Sequence, residues 1–311
     1  MRNPILRFVM TVTCLVLCSA PYQDQAEGYT FTSIDFPGAS CCTVAAGIND
    51  GGQIVGTYAD ATFANHGFLD SGGRFTSFNV PGAFSTGLSG INNGGQIVGS
   101  YADATGFHGF LDSGGRFTPI NVPGAAATYA IGINAGGQIV GFYDDATFTP
   151  HGFLDSGGRF TPINVPGAFS TALFGINNGG QIVGFYADAN GTTFVHGFLD
   201  SGGRFTPINV PGATVTYPAG INAGGQIVGR YFDATGYHGF LDSGGRFTSI
   251  NVPGTALTFA NGINAGGQIV GWYGDATGTH GFLATAPEPS SLLLIGSGLV
   301  GLVAWRWKHA A

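Results

Sequence analysis

The decapeptide G-I-N-x-G-G-Q-I-V-G occurs six times in the chain, beginning at Gly47, Gly90, Gly132, Gly175, Gly220 and Gly262. Each copy is followed by H-G-F-L, beginning at His66, His108, His151, His196, His238 and His280. Successive copies start 43, 42, 43, 45 and 42 residues apart. A fixed period of this size constrains the fold before composition does, because each unit buries its faces only against its neighbours.

Within the third copy, residues 132–166, the turn formers N-A-G-G (134–137) and D-S-G-G (155–158) separate short β-rich runs at 128–134, 138–143, 151–154 and 159–165. Asn-x-Gly-Gly and Asp-Ser-Gly-Gly suit tight hairpins. Pro166-Gly167 ends the fourth run, since proline offers no ladder donor. No segment of the body has a helical apolar period, so four antiparallel strands per repeat are expected. That is the pattern of a propeller blade, and the fold class expected is an all-β, six-bladed β-propeller.

The two ends of the array fit each other. The last copy stops after H-G-F-L at 280–283, whereas the chain opens its repeats with F-T-S-I-D-F-P-G at 31–38, a fourth strand without a blade. If the opening strand completes the last blade, the ring closes without a free edge. A parallel β-solenoid is the alternative, but it needs no leftover piece at each end. Cys41 and Cys42 lie in the first link, where strained geometry disfavours a bond between neighbours; they are expected as thiols, with a vicinal or intermolecular disulfide as alternatives.

Length variation falls in one loop type. Between the Tyr of I-V-G-x-Y and the following His lie 6 to 9 residues, while the other connections are nearly constant. These loops would share one face of the disc, and per-repeat insertions commonly mark a binding face. The candidate binding residues are therefore the loop carboxylates Asp60, Asp103, Asp145, Asp188, Asp233 and Asp275. With them go the loop aromatics Phe63, Phe107, Phe148, Phe194 and Tyr237, whose flat faces can stack on a sugar ring. The carboxylates would form a solvated acidic rim. Calcium is the one cofactor they could hold, although no copy has the alternating acidic spacing of a known calcium loop.

Residues 28–286 hold six Arg and fourteen Asp, with neither Lys nor Glu. This acidity argues against a nucleic-acid partner, which requires a clustered basic surface. The six histidines, one per copy, would stand on a circle instead of converging on a metal, so they are expected to start the third strand and bond loop backbone. The Gln residues after each N-x-G-G turn are expected to partner that turn. Glycosidase chemistry calls for two carboxylates in unlike environments, whereas here the Asp residues recur at equivalent positions, and no G-x-S-x-G elbow or phosphate loop is present. A non-enzymatic module is therefore expected. An envelope hydrolase or lyase would need a pocket that breaks the symmetry, and its best candidates, Arg230 and the Asp144-Asp145 pair, stand isolated in the sequence.

Both termini carry address signals. Arg2 and Arg7 precede an apolar run at 8–17 and small residues at 19–20, which reads as a secretory signal peptide over 1–26. At the other end, Pro287-Glu288-Pro289 precedes an uncharged apolar segment at 292–304 and then Arg306 and Lys308. This tail, residues 287–311, resembles the PEP-CTERM sorting signal of Gram-negative bacteria. The resemblance implies recognition by an exosortase, at least transient membrane contact through a short transmembrane segment, and delivery to the envelope or an exopolysaccharide matrix. The repeat itself, with its V-P-G-A, G-I-N-x-x-G-Q-I-V-G and H-G-F-L blocks, resembles the HAF family of extracellular bacterial repeats. That resemblance implies a location outside the cell and supplies no site residues. The function expected is an exported binding or scaffold module, with polysaccharide as partner; a purely structural matrix protein is the other non-enzymatic reading.

Overall fold

In the computed structural model, residues 28–189 and 195–286 are described. They form twenty-four strands in six four-stranded antiparallel sheets. Five blades are continuous in sequence, the first being Thr43–Ile48, Gln53–Ala59, Asn65–Ser71 and Arg74–Phe78. The sixth takes Leu257–Ile263, Ile269–Gly274 and Thr279–Thr285 from the end of the chain and Thr30–Ile34 from its start. Thr30–Ile34 pairs antiparallel with Thr279–Thr285, with Ser33 opposite Phe282. The propeller therefore closes through its N-terminal strand. Thr279 N also donates to Cys41 O at 3.1 Å, and Cys42 bridges Thr279, so the first link reinforces the same seam.

Strand limits follow the sequence reading to within a residue or two except at the outer edge. The outer strand of blade three is only Phe160–Pro162. Its continuation turns towards the next blade instead, where Val165 N donates to Thr171 Oγ1 at 3.1 Å. The same buried Thr recurs on every inner strand, holding the link that enters its blade: Thr43 receives Phe36 N, and Thr86 receives Val80 N.

Apolar packing lies between blades. The Phe of H-G-F-L (Phe68, Phe110, Phe153, Phe198, Phe240, Phe282) and the Val of Q-I-V-G are fully buried in all six copies. One core group joins Val140 of blade three to Leu173, Ile182 and Phe198 of blade four. Removing a Phe or Val side chain from water is worth about 1.5–3 kcal/mol each, and this repeated interface is what the invariant letters encode.

Each inner strand carries a bulge, where register shifts by one residue, as between Ala130 and Gly132. The unpaired residues are Ala46, Ser89, Ile131, Phe174, Ala219 and Asn261, and all six line the axial cavity. A bulge re-aims a side chain, and here it turns one residue per blade towards the axis. The glycine that follows lets the inner strands meet. A Cβ on Gly132 would stand 2.7 Å from Phe174 O and 3.3 Å from Gly175 Cα, so the glycines form a narrow waist.

Beyond the waist, the Asn of G-I-N does more than make a turn. Asn134 Oδ1 accepts from Gln138 N at 3.0 Å, and its Nδ2 donates to Gln138 Oε1 at 2.8 Å and to Asn177 O of the next blade at 3.3 Å. The inter-blade bond repeats from Asn49 to Asn92, on to Asn134, Asn177, Asn222 and Asn264, and back to Asn49. These side chains are buried, so their loss leaves partners unsatisfied. Asn134→Ala is expected to lower unfolding stability by about 2–3 kcal/mol, read as a shifted denaturant midpoint with an unchanged slope.

Candidate functional site

Strand direction sorts the connections onto two faces. The N-x-G-G and D-S-G-G turns lie on one; the variable loops and the V-P-G links lie on the other. Among the described residues, the exposed large apolar side chains are Phe63, Phe84, Phe107, Phe148, Phe169 and Phe232, and all belong to the variable-loop face. Phe63 and Phe148 are 72% and 56% exposed and hold φ of 62° and 60°, a left-handed conformation that is a genuine outlier for bulky residues. Three other loops place Gly106, Gly236 and Gly278 at the equivalent position.

The loop aspartates have a common local geometry. Asp60 Oδ1 accepts from Thr62 N at 2.7 Å and Thr62 Oγ1 at 2.6 Å, and Oδ2 lies 2.9 Å from His66 Nε2. Asp103, Asp145, Asp233 and Asp275 receive the equivalent Thr bonds, and His108, His151, His238 and His280 stand beside them. The Thr62 hydroxyl and His66 hold the Asp60 carboxyl well below the usual carboxylate range; Thr147 does the same for Asp145. His66, His108, His151, His238 and His280 thus bond loop side chains, in place of the loop backbone expected from the sequence. In the closing blade His280 Nδ1 reaches Asp35 at 2.8 Å, where His66 Nδ1 meets Asn79. Asp188 is partly buried at the same loop position, and Phe194 lies outside the described residues. Among the described residues, no group of three or more His, Cys, Asp or Glu is placed to hold a metal ion.

The feature that the sequence did not disclose is the axial pocket, a cavity of about 540 Å³ on the variable-loop side of the glycine waist. Its wall draws on one level of cross-strand pairs between the inner and second strands, from which Phe142, Ala172, Phe185, Tyr217, Arg230 and Trp272 line the cavity. These pairs are Val44 with Thr57, Gly87 with Ser100, Tyr129 with Phe142, Ala172 with Phe185, Tyr217 with Arg230, and Phe259 with Trp272. The same pair of positions is small in blades one and two and almost wholly aromatic from three to six. Phe174 joins Phe142 to Phe185, the Phe185 ring meets Tyr217 edge-on at 5.0 Å, and Phe259 stacks on Trp272 at 4.1 Å and 5°. Tyr237, a predicted loop aromatic, lines the pocket and stacks on Phe259 at 5.3 Å. Phe107 packs on Tyr129 at 5.9 Å.

Two charges stand in or behind this wall. The Arg230 guanidinium lies 4.5 Å from the Tyr217 ring centre and 5.0 Å from that of Phe259. Its Nε is sealed from solvent without a hydrogen-bond partner, and burial pulls its pKa below the ordinary value. Isolated in the sequence, Arg230 is at the centre of the aromatic arc in the fold. Asp144 is buried with neither carboxylate oxygen bonded, and its strand partner Pro150 lines the pocket. Burial, aided by the neighbouring Asp145 charge, pushes the Asp144 pKa up to about 6.

A raised carboxyl pKa gives stability that is complete below the unfolded value and is lost as pH rises through the folded one. A displacement from 3.8 to about 6 corresponds to about 3 kcal/mol unscreened, and screening reduces this to about 1–2 kcal/mol. The wild type is therefore expected to lose about that much stability between pH 4 and pH 8 relative to Asp144→Asn. Urea titrations at the two pH values measure it. Asp60, Asp103, Asp145, Asp233 and Asp275, with lowered pKa, act below that window.

The chain's address is carried outside the ring. Residues 285–308 match the PEP-CTERM protein-sorting motif. This sorting motif implies an exported protein of the Gram-negative cell envelope, recognised by an exosortase. Its Pro287, Glu288, Pro289, Arg306 and Lys308, the apolar segment between them, and the leader at 1–26 lie outside the described residues. Thr279–Thr285 runs from the variable-loop face to the turn face, so the described chain ends opposite the pocket mouth. No curated protein matches the chain. In shape the ring is similar to streptogramin B lyase, at 13% identity over 85% of this chain and 100% of that one, with a TM-score of 0.49. It is also similar to an Aleuria aurantia lectin (13%, 81% and 99%, 0.47) and to Trypanosoma rangeli sialidase (10%, 87% and 57%, 0.48). These likenesses concern the propeller fold alone.

Proposed function

We propose that the protein is a non-enzymatic binding module of the cell surface, taking a glycan of the surrounding matrix into its axial pocket. The observation that carries this reading is where the repeat breaks. Six blades that agree almost letter for letter differ around one cavity, and there blades three to six gather the rings of Phe142, Phe174, Phe185, Tyr217, Tyr237 and Trp272. A concave, largely apolar site of about 300–1,000 Å³ with a few polar groups is the usual form of a ligand pocket, and flat aromatic faces suit sugar rings. Of the exposed Phe residues on that face, Phe169 lines the pocket and extends its apolar wall. The resemblance of the repeat to HAF-type extracellular repeats agrees with display outside the cell.

The test is retention of the producing organism's own exopolysaccharide by the purified full chain, compared with Ala219→Phe. That substitution copies blade four's Phe174 into blade five and fills the pocket at a position the fold already accommodates. Retention by the wild type and at least about 10-fold weaker retention by the variant, with an unchanged melting temperature, is expected. Equal retention by both, or none by the wild type, sinks the reading. Arg230 in the pocket favours a second reading, an envelope hydrolase or lyase; time-dependent shortening of the glycan, abolished by Arg230→Ala, would establish it. A purely structural role would show no saturable ligand.

A further inference from the structure

We infer that Arg230 is the anion-recognising residue of the axial pocket, and that the ligand presents it with a single carboxylate, as a uronic-acid-type sugar does. The inference rests on the reading that this pocket takes a glycan.

The other five arginines of the ring, such as Arg74 and Arg159, are exposed at the outer turn or strand. Arg230 alone stands on a second strand, at the position occupied by Thr57, Ser100, Phe142, Phe185 and Trp272 in the other blades. Among the described residues, every ion pair joins a His to an Asp, and none reaches Arg230. Tyr217 and Phe259 attract its charge through their ring faces, yet a ring face does not accept the in-plane N–H bonds that a guanidinium offers. Arg230 is partly buried, with Nε sealed from solvent and unbonded; a charge held in this way among ring faces is costly, and a hydrophobic side chain would serve the fold as well or better. The cost is offset when a ligand supplies the missing acceptor.

The charge and shape of the site narrow that ligand. Arg230 is the one cation among the pocket residues, in a ring rich in aspartate, so a monoanion is matched and a multiply charged phosphate is not. The planar guanidinium fork fits the two oxygens of a carboxylate. Tyr217, Tyr237 and Trp272, which line the pocket with Arg230, offer the ring surface for the sugar that carries it.

The experiment uses the purified full chain and fragments of the producing organism's exopolysaccharide, untreated, carboxyl-reduced or desulfated, with affinity measured by calorimetry. Untreated and desulfated fragments are expected to bind alike, and carboxyl-reduced fragments about 100-fold more weakly. Arg230→Gln, checked for folding by its melting curve, is expected to bind untreated and reduced fragments equally weakly. Equal binding of untreated and carboxyl-reduced fragments by the wild type overturns the inference while leaving the pocket's glycan role intact. So does discrimination that survives in Arg230→Gln, or that disappears with sulfate instead. If no fragment binds, the inference and the reading beneath it both fall. The ligand comparison on the wild type decides the matter even if the variant does not fold.

Discussion

Replacing Gly141 by alanine is expected to destroy the ring, although it adds one methyl group to a strand. The glycine of Q-I-V-G lies across from the inner-strand bulge, and there the Tyr129 carbonyl oxygen comes to 1.9 Å from where a Cβ on Gly141 would be. The obstacle is backbone, not a side chain that can rotate away. The five equivalent glycines meet the same carbonyl at 1.9 to 2.2 Å. Relieving the overlap means giving up the bulge or parting the two strands, at a cost of at least about 4 kcal/mol in a domain whose total stability is of the order of 5–15 kcal/mol. Gly157→Ala is the control. That glycine has φ of 66°, and a methyl group added there would have nothing within 4 Å, so the cost is the left-handed penalty alone, about 1–2 kcal/mol. Circular dichroism and urea unfolding of the two variants are expected to give an unfolded or aggregated Gly141→Ala and a folded Gly157→Ala.

Removing residues 28–36 is expected to be equally severe, for a different reason. The deletion strips five paired residues from Thr279–Thr285, along with buried Ile34 and the Phe31–Phe282 edge contact at 5.7 Å. Blade six is then left with an open edge, and exposed edges pair with other chains. Size-exclusion chromatography is expected to show aggregates, where the intact ring elutes as one species. A monodisperse, cooperatively melting truncation would mean that the ring does not depend on this closure.

The ring and its closure were legible because they rest on repetition. Turn residues at fixed offsets and an unpaired strand at each end require no knowledge of which side chains meet. The pocket was illegible for the complementary reason. Tyr217 and Arg230 are thirteen residues apart in the chain, and only the register of the two strands sets them side by side. On the second strand each varying residue lies between an invariant Gly and an invariant Tyr, where it reads as tolerated substitution until the pairs are seen around one axis. The loops stand out instead, because their length changes are visible in a linear string. Their Asp, Thr and His side chains are largely engaged with one another. Tyr237 belongs to both descriptions, since it starts a third strand at the loop end and also lines the pocket. The Asn ring was hidden similarly: Asn before Gly-Gly suffices for a turn, and nothing in the string says that its amide also reaches the neighbouring blade.

Trp272 offers the most direct measurement of whether this cavity is where the protein meets its ligand. It is the sole tryptophan of residues 28–286, and it lines the pocket against Phe259. Titrating that ring with exopolysaccharide fragments while following tryptophan emission should give a saturable change with the same midpoint as binding measured by calorimetry. Ala219→Phe should abolish the change, and Phe63→Gly, at the far rim, should leave it in place. Saturable binding that leaves Trp272 emission unaltered, or that is lost with Phe63→Gly and kept with Ala219→Phe, would contradict the account.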